Sequence, residues 1–111
     1  MPQQELRWQK EYLRSIAMTE QQIQKKITTF LEKQGCYVVK VISATKAGVP
    51  DILGCFNGKF FGIEVKKPTT KTNTSKLQEY NLMKIQEAAG YSCVAWDVEQ
   101  AEDLLDLIEK T

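Results

Sequence analysis

Residues 48–68 read GVPDILGCFNGKFFGIEVKKP. Two runs rich in β-branched and aromatic residues, DILGCF and KFFGIEV, flank Asn57-Gly58. That dipeptide is the strongest short-range signal for a two-residue hairpin, because a type I′ turn needs φ > 0 at both central residues. In such a turn Phe56 pairs with Lys59 and Cys55 with Phe60, and the ladder runs on until Asp51 faces Glu64. The two carboxylates then share one face with Cβ atoms about 4.5–5.5 Å apart, which is unfavourable unless a cation lies between them; one divalent ion fits that gap. Strand alternation sets Lys66 beside Glu64 and turns Ile63 and Val65 toward a core. Two acids and an ammonium converging on a strand end can hold a metal, activate a water and place positive charge near a phosphate. A plainer reading fits the same letters: Asp51 caps an edge strand, and Glu64, Lys66 and Lys67 form a solvated stripe. A bulge in the hairpin would also break the register.

The flanks supply the other elements. Residues 3–16 carry Leu6, Tyr12, Leu13 and Ile16 partly on one face, in an irregular helical pattern. Thr19-Glu20-Gln21-Gln22 has the form of a capping box, and Ile23, Ile27, Phe30 and Leu31 follow at helical spacing until Gly35 supplies the stop. CYVVKVI (36–42) reads as a strand. After the polar loop PTTKTNTSK, Leu77, Tyr80, Leu82, Met83 and Ile85 define a helix ending at Gly90. YSCVAW (91–96) reads as a buried strand, and Val98 to Lys110 as an acidic helix with Ala101, Leu104, Leu105 and Ile108 inward. Tyr37, Tyr80, Tyr91 and Trp96 sit in apolar runs and are expected in the core rather than as base-stacking platforms. The order α-β-β-β-α-β-α predicts an α/β fold, a small mixed sheet flanked by helices. Residues 1–18 read as an N-terminal appendage and 19–111 as the domain proper; Met18, just ahead of the Thr19 cap, equally fits an internal start, which would make residues 1–17 the appendage.

Composition narrows the chemistry. The 111 residues fit one domain of common size, and the formal charge is only +1. That value hides a gradient: Lys40 to Lys76 holds seven lysines against Asp51 and Glu64, while Glu79 to Lys110 holds eight acids against two lysines. A basic middle and an acidic tail suggest that a polyanion meets one face. Lys40, Lys46, Lys67, Lys71 and Lys76 are the candidate phosphate contacts. Histidine is absent, which excludes His general bases, triads and His-ligated zinc, so a metal would be held by oxygen and would be Mg²⁺ or Mn²⁺. Cys36, Cys55 and Cys93 lie apart in apolar runs without a CxxC, so buried thiols are expected in an intracellular protein. No apolar run approaches a membrane span, and the polar N-terminus has no signal-peptide core.

Pro50-Asp51 followed by Glu64-Val65-Lys66 resembles the signature of the PD-(D/E)xK nucleases. With AGVPDILG, the hairpin, FGIEVKKP and a following helix bearing Gln78, the chain from Thr19 onward resembles the VRR-NUC (virus-type replication-repair nuclease) family in its short, stand-alone phage form. The resemblance implies a restriction-endonuclease-like α-β-β-β-α-β core. It also implies a metal held by Asp51, Glu64 and the backbone carbonyl of Val65, with Glu20 helping directly or through water. Lys66 would orient or activate the attacking water and balance charge on the phosphate, and Gln78 would position Lys66 or the water. Cleavage would leave a 5′-phosphate and a 3′-hydroxyl. Read from the residues alone, Glu20 also fits a first-turn acid complementing the helix dipole, and Gln78 an ordinary helix-surface residue.

The expected function is therefore a Mg²⁺- or Mn²⁺-dependent endonuclease that selects branched DNA by shape and resolves four-way junctions as a homodimer, inside a bacterial host if phage encoded. A flap or nicking nuclease of the same fold is the alternative within the enzyme class. Outside it stand a non-catalytic DNA-binding module and an interaction protein using the acidic C-terminal helix.

Overall fold

A computed structural model describes residues 3–111, so Met1 and Pro2 of the expected appendage lie outside it. The elements are α1 (Gln3–Ala17), α2 (Glu20–Lys33), β1 (Tyr37–Lys40), β2 (Ile52–Phe56), β3 (Lys59–Val65), α3 (Lys76–Glu87), β4 (Tyr91–Ala95) and α4 (Val98–Glu109), with a 3₁₀ turn at Pro68–Thr70. The strands form one sheet in the order β1-β2-β3-β4. The β1–β2 and β2–β3 pairs are antiparallel and β3–β4 is parallel, so the sheet is mixed as expected.

The hairpin sets this architecture. Asn57 and Gly58 have φ of 52° and 75°, the left-handed pair a type I′ turn requires, and the register Phe56↔Lys59 to Ile52↔Ile63 follows from it. Alternation then divides the sheet into two faces. Phe61, Ile63 and Val65 are fully buried and join Ile23, Ile27 and Leu31 of α2 and Ala101, Leu104, Leu105 and Ile108 of α4 in one core.

The opposite face is covered in part. There α3 packs over β3 and β4; a Cβ on Gly62 would come within 2.7 Å of Ile85 Cδ1. Among the described residues no helix packs extensively on the β1–β2 half of that face. Tyr37 pairs with Cys55 and Cys55 with Phe60, and all three are exposed.

Two expectations about burial are corrected here. Tyr37 and Tyr80 are 72% and 52% exposed, so neither is a core residue. Tyr91 and Trp96 are half-buried. Cys36 is buried, Cys93 half-buried and Cys55 exposed, because Cys55 falls on the uncovered half-face. Helix α3 ends at Glu87, just ahead of Gly90 as expected, and the left-handed residue of the connection is Ala89 (φ 69°). Gly90 is required for space, since a Cβ there would lie 2.9 Å from Ile85 Cγ2 and 3.1 Å from Ile85 O.

Side-chain caps set three helix starts. Thr19, Ser75 and Asp97 each form a capping box with a glutamine at the third helical position, namely Gln22, Gln78 and Gln100. Each satisfies two amides that the first turn leaves without intrahelical partners. Helix α1 reaches the 3₁₀ turn, and its Trp8 and Tyr12 rings stack with centroids 5.7 Å apart.

Candidate active site

The β2–β3 ladder stops one pair short of the carboxylates, at Ile52↔Ile63. At that point Asp51 leaves the ladder. Its backbone carbonyl accepts from the Val41 amide at 2.8 Å, and its Oδ2 accepts from the Val65 amide at 2.8 Å. The side chain thus stands in for a backbone acceptor and is aimed at the end of β3, where Glu64 lies. Val65 enters through its amide, a contact that strand pairing alone did not predict.

Glu64 is 4% exposed, although it carries a carboxyl group. Its pKa is raised to about 8, first by burial and then by the negative charge of Asp51, which also shares a hydrogen bond with it; Lys66 opposes the shift and Glu20 adds to it. Two like-charged carboxyls at one strand end cannot both ionise cheaply without a cation. The Lys66 Nζ lies 3.9 Å from Glu64 Oε2, an ion pair beyond hydrogen-bond length, and the Lys66 side chain is 13% exposed. The Lys66 amide donates to Ala95 O at 2.9 Å, so the adjoining end of β4 fixes the backbone that carries this lysine.

Gln78 joins α3 to the site. Its Oε1 accepts from the Ser75 amide at 2.9 Å within the capping box, while its Nε2 donates to Glu64 Oε2 at 2.9 Å. The two bonds use the two ends of one amide, which fixes its orientation by chemistry. Sequence reading expected Gln78 to position Lys66 or a water; it holds Glu64. The signal was present, since Ser75 to Gln78 spells a capping box, but the second bond depends on how α3 crosses β3.

Glu20 is exposed in the first turn of α2 and is felt by Glu64 through its charge. One turn further along α2, Gln24 is 8% exposed, and its Oε1 is the one buried side-chain atom without a hydrogen-bond partner among the described residues. Nothing in the sequence pattern singled it out.

The donor set fits a hard divalent cation in an open site. Among the described residues no three His, Cys, Asp or Glu side chains cluster closely enough to enclose an ion. Asp51 and Glu64 supply two carboxylates, and a Mg²⁺-type ion held by one or two carboxylates completes its shell with water and phosphate oxygens. A divalent charge would also relieve the conflict that keeps Glu64 protonated.

The five candidate phosphate contacts lie in different settings. Lys40 ends β1, Lys46 sits in the loop before β2, and Lys76 begins α3; all three are exposed. Lys67 is half-buried at the start of the 3₁₀ turn, and Lys71 is exposed with its Nζ 4.8 Å from the centroid of the Trp96 ring. No helix among the described residues is long and apolar enough to cross a membrane.

Residues 18–105 match a family model described as archaeal Holliday junction resolvase (Hjc). A solved structure titled "VRR_NUC domain" is similar to this chain with a TM-score of 0.64 and 25% identity, over 81% of this chain and 97% of that one. No curated protein matches. The likeness to the solved domain bears out the family resemblance and the α/β fold, a mixed sheet flanked by helices.

Proposed function

The chain belongs to the archaeal Holliday junction resolvase family, a nuclease of the PD-(D/E)xK type, and from that premise we propose that it resolves four-way DNA junctions as a metal-dependent, structure-selective endonuclease acting as a homodimer. The observation that carries the chemistry is the buried Glu64 carboxyl held between Asp51, Lys66 and Gln78. A surface stripe of charge would need none of these partners.

Asp51 and Glu64 would hold Mg²⁺ or Mn²⁺, with the Val65 carbonyl as a further oxygen donor and Glu20 acting through water. When bound, the ion supplies Lewis-acid polarisation of the scissile phosphate and a lowered pKa for a neighbouring water. The protein's own groups do the rest. Gln78 keeps Glu64 facing the site by spending one amide proton on Oε2. The Val65 amide does the same for Asp51 Oδ2. Lys66 orients the attacking water and offsets the charge that grows on the phosphoryl oxygens as the water oxygen bonds to phosphorus and the bond to the 3′ oxygen breaks. The products are a 5′-phosphate and a 3′-hydroxyl. Lys40, Lys46, Lys67, Lys71 and Lys76 would contact backbone phosphates outside the reacting one, a sequence-independent mode suited to recognition by shape.

The test is cleavage of an end-labelled four-way junction, its matched linear duplex and a flap, each with Mg²⁺, Mn²⁺ or EDTA. Paired symmetric nicks confined to the junction, dependent on metal and lost in Lys66→Ala while junction binding remains, are the expected result. Cleavage confined to flaps or duplex removes the resolving activity and keeps the nuclease. Binding without products at any enzyme excess leaves a DNA-binding module.

A further inference from the structure

The match to the junction-resolvase family begins at residue 18, so α1 lies outside it. Arg7 and Arg14 are the only arginines in the 111-residue sequence, and both stand on this helix. At about 100° per residue, Arg7, Lys10 and Arg14 fall within roughly 60° of one another around the helix, whereas Trp8 and Tyr12 fall on the other side. The two sides meet different surroundings. Tyr12 borders a cleft of about 230 Å³ with Pro68, Lys71 and Trp96, so the aromatic side leans on the domain at the 3₁₀ turn. The cationic side is turned outward, where Arg7, Lys10 and Arg14 border one surface groove with Leu6 and Glu11.

The domain itself makes no use of those charges. Residues 6–14 are all exposed, and no ion pair among the described residues engages Arg7, Lys10 or Arg14. A helix of this length with so little packing is marginal unless one end is held. The C-terminal end is held: Met18, between α1 and the Thr19 cap, packs against the core. Two residues further on stands Glu20, whose charge is felt by Glu64. Helix α1 therefore leaves the domain at the edge of the active site and rests beside Lys67 and Lys71, the residues that bracket the 3₁₀ turn.

We infer that α1 is an arm that grips the phosphate backbone of junction DNA away from the cleaved bond, with Arg7, Lys10 and Arg14 as its contacts. The inference rests on the junction reading above and adds a second binding surface to it. Guanidinium suits this role, since its planar fork takes two phosphate oxygens at once and stays charged at every working pH. Seven residues of helix set Arg7 and Arg14 about 10 Å apart along the axis with Lys10 between them, the axial length of about three phosphates of one strand. An anionic lipid surface is the other polyanion that a basic amphipathic helix can meet. Here the aromatic side that would enter lipid is set against Pro68 and Trp96 while the charges face out, which favours a phosphate backbone.

The test uses the full chain and a fluorescently labelled four-way junction in EDTA, with binding read by anisotropy across a range of salt concentrations. Each phosphate contact contributes about 0.9 to the slope of log K against log salt. Arg7→Gln/Lys10→Gln/Arg14→Gln should therefore flatten the slope by about 2–3 and weaken binding at least tenfold at low salt, while single-turnover cleavage at saturating protein with Mg²⁺ stays within about twofold of wild type. Lys33→Gln/Lys110→Gln removes two exposed charges at the C-terminal ends of α2 and α4 and should leave the slope unchanged. A triple variant whose slope lies within about half a unit of wild type overturns the arm and leaves junction binding standing. So does a control that flattens the slope as much as the triple variant. A triple variant that loses binding to anionic vesicles with its junction slope unchanged overturns the DNA contact and assigns α1 to a lipid surface. A wild-type chain without affinity for the junction at any salt overturns both readings. Should the triple variant fail to fold, Trp8 decides: in Trp96→Phe it is the sole tryptophan, its emission should change as junction DNA saturates the protein, and unchanged emission overturns the arm.

Discussion

Glu64 makes stability depend on pH in a direction opposite to that of most carboxylates. Its folded pKa of about 8 lies above the ordinary value of 4.5, so between those values the native state keeps a proton that the unfolded chain has released. The sign follows: stability is fully present below the unfolded pKa and is lost as pH rises through the folded one. One proton gives a slope of about 1.4 kcal/mol per pH unit, or close to 3 kcal/mol between pH 5.5 and 7.5. With a urea dependence of about 1–3 kcal/mol per molar, the unfolding midpoint should fall by about 1–3 M over that interval without divalent ions. The window is clean because the chain has no histidine. Glu64→Gln cannot titrate and should give a nearly flat profile, and Mg²⁺ should raise the wild-type midpoint most at the alkaline end, where the deprotonated site binds it. Urea titrations followed by far-UV circular dichroism measure all three. A wild-type midpoint that stays level or rises from pH 5.5 to 7.5, parallel to that of Glu64→Gln, would refute the reasoning.

Three further substitutions separate structural from chemical roles. Gln78→Glu keeps an acceptor for the capping box but faces Glu64 with a carboxylate; helix content should hold while metal-dependent cleavage falls at least tenfold, as read by parallel circular dichroism and junction cleavage. Gln24→Leu removes the unpaired buried acceptor, which costs about 1–3 kcal/mol where it stands, so the variant should be more stable by about 1 kcal/mol in urea and cut at the wild-type rate; a loss of cleavage would assign Gln24 to the site. Gly54→Ala would set a Cβ 2.5 Å from Phe61 Cζ and 2.6 Å from the Tyr37 carbonyl; overpacking there should cost 2 kcal/mol or more, seen as a large drop in melting temperature.

How much of this was legible depends on range. The hairpin was readable to the residue because Asn57-Gly58 admits few turns, and the turn fixes every pair down to Ile52↔Ile63. The α2 start was equally readable, since Thr19 and Gln22 act within one turn. At Asp51 local rules end: counting brings Asp51 opposite Glu64, and the two carboxyls do meet, but it does not foresee that the Asp51 side chain also accepts the Val65 amide while its carbonyl accepts the Val41 amide. The burial of Tyr37, Tyr80 and Cys55 was misread for a related reason. Apolar runs say that a strand or helix is half-apolar, but not whether anything covers it, and here a single helix spans half a face. Leu77, Tyr80, Leu82, Met83 and Ile85 surround α3 rather than form one stripe, so their spacing located the helix without saying which side met the sheet.

The double use of Gln78 joins parts of the molecule that would otherwise be separate. Its oxygen secures the first turn of α3 and its nitrogen secures Glu64, so the frayed and wound forms of that turn present different carboxyl environments. Linkage then runs both ways: a change in the charge on Glu64 is a change in the opening equilibrium of the helix end. Amide exchange at Gln78, whose N–H is held by Ser75 Oγ, should therefore report the ionisation of a side chain fourteen residues away in sequence.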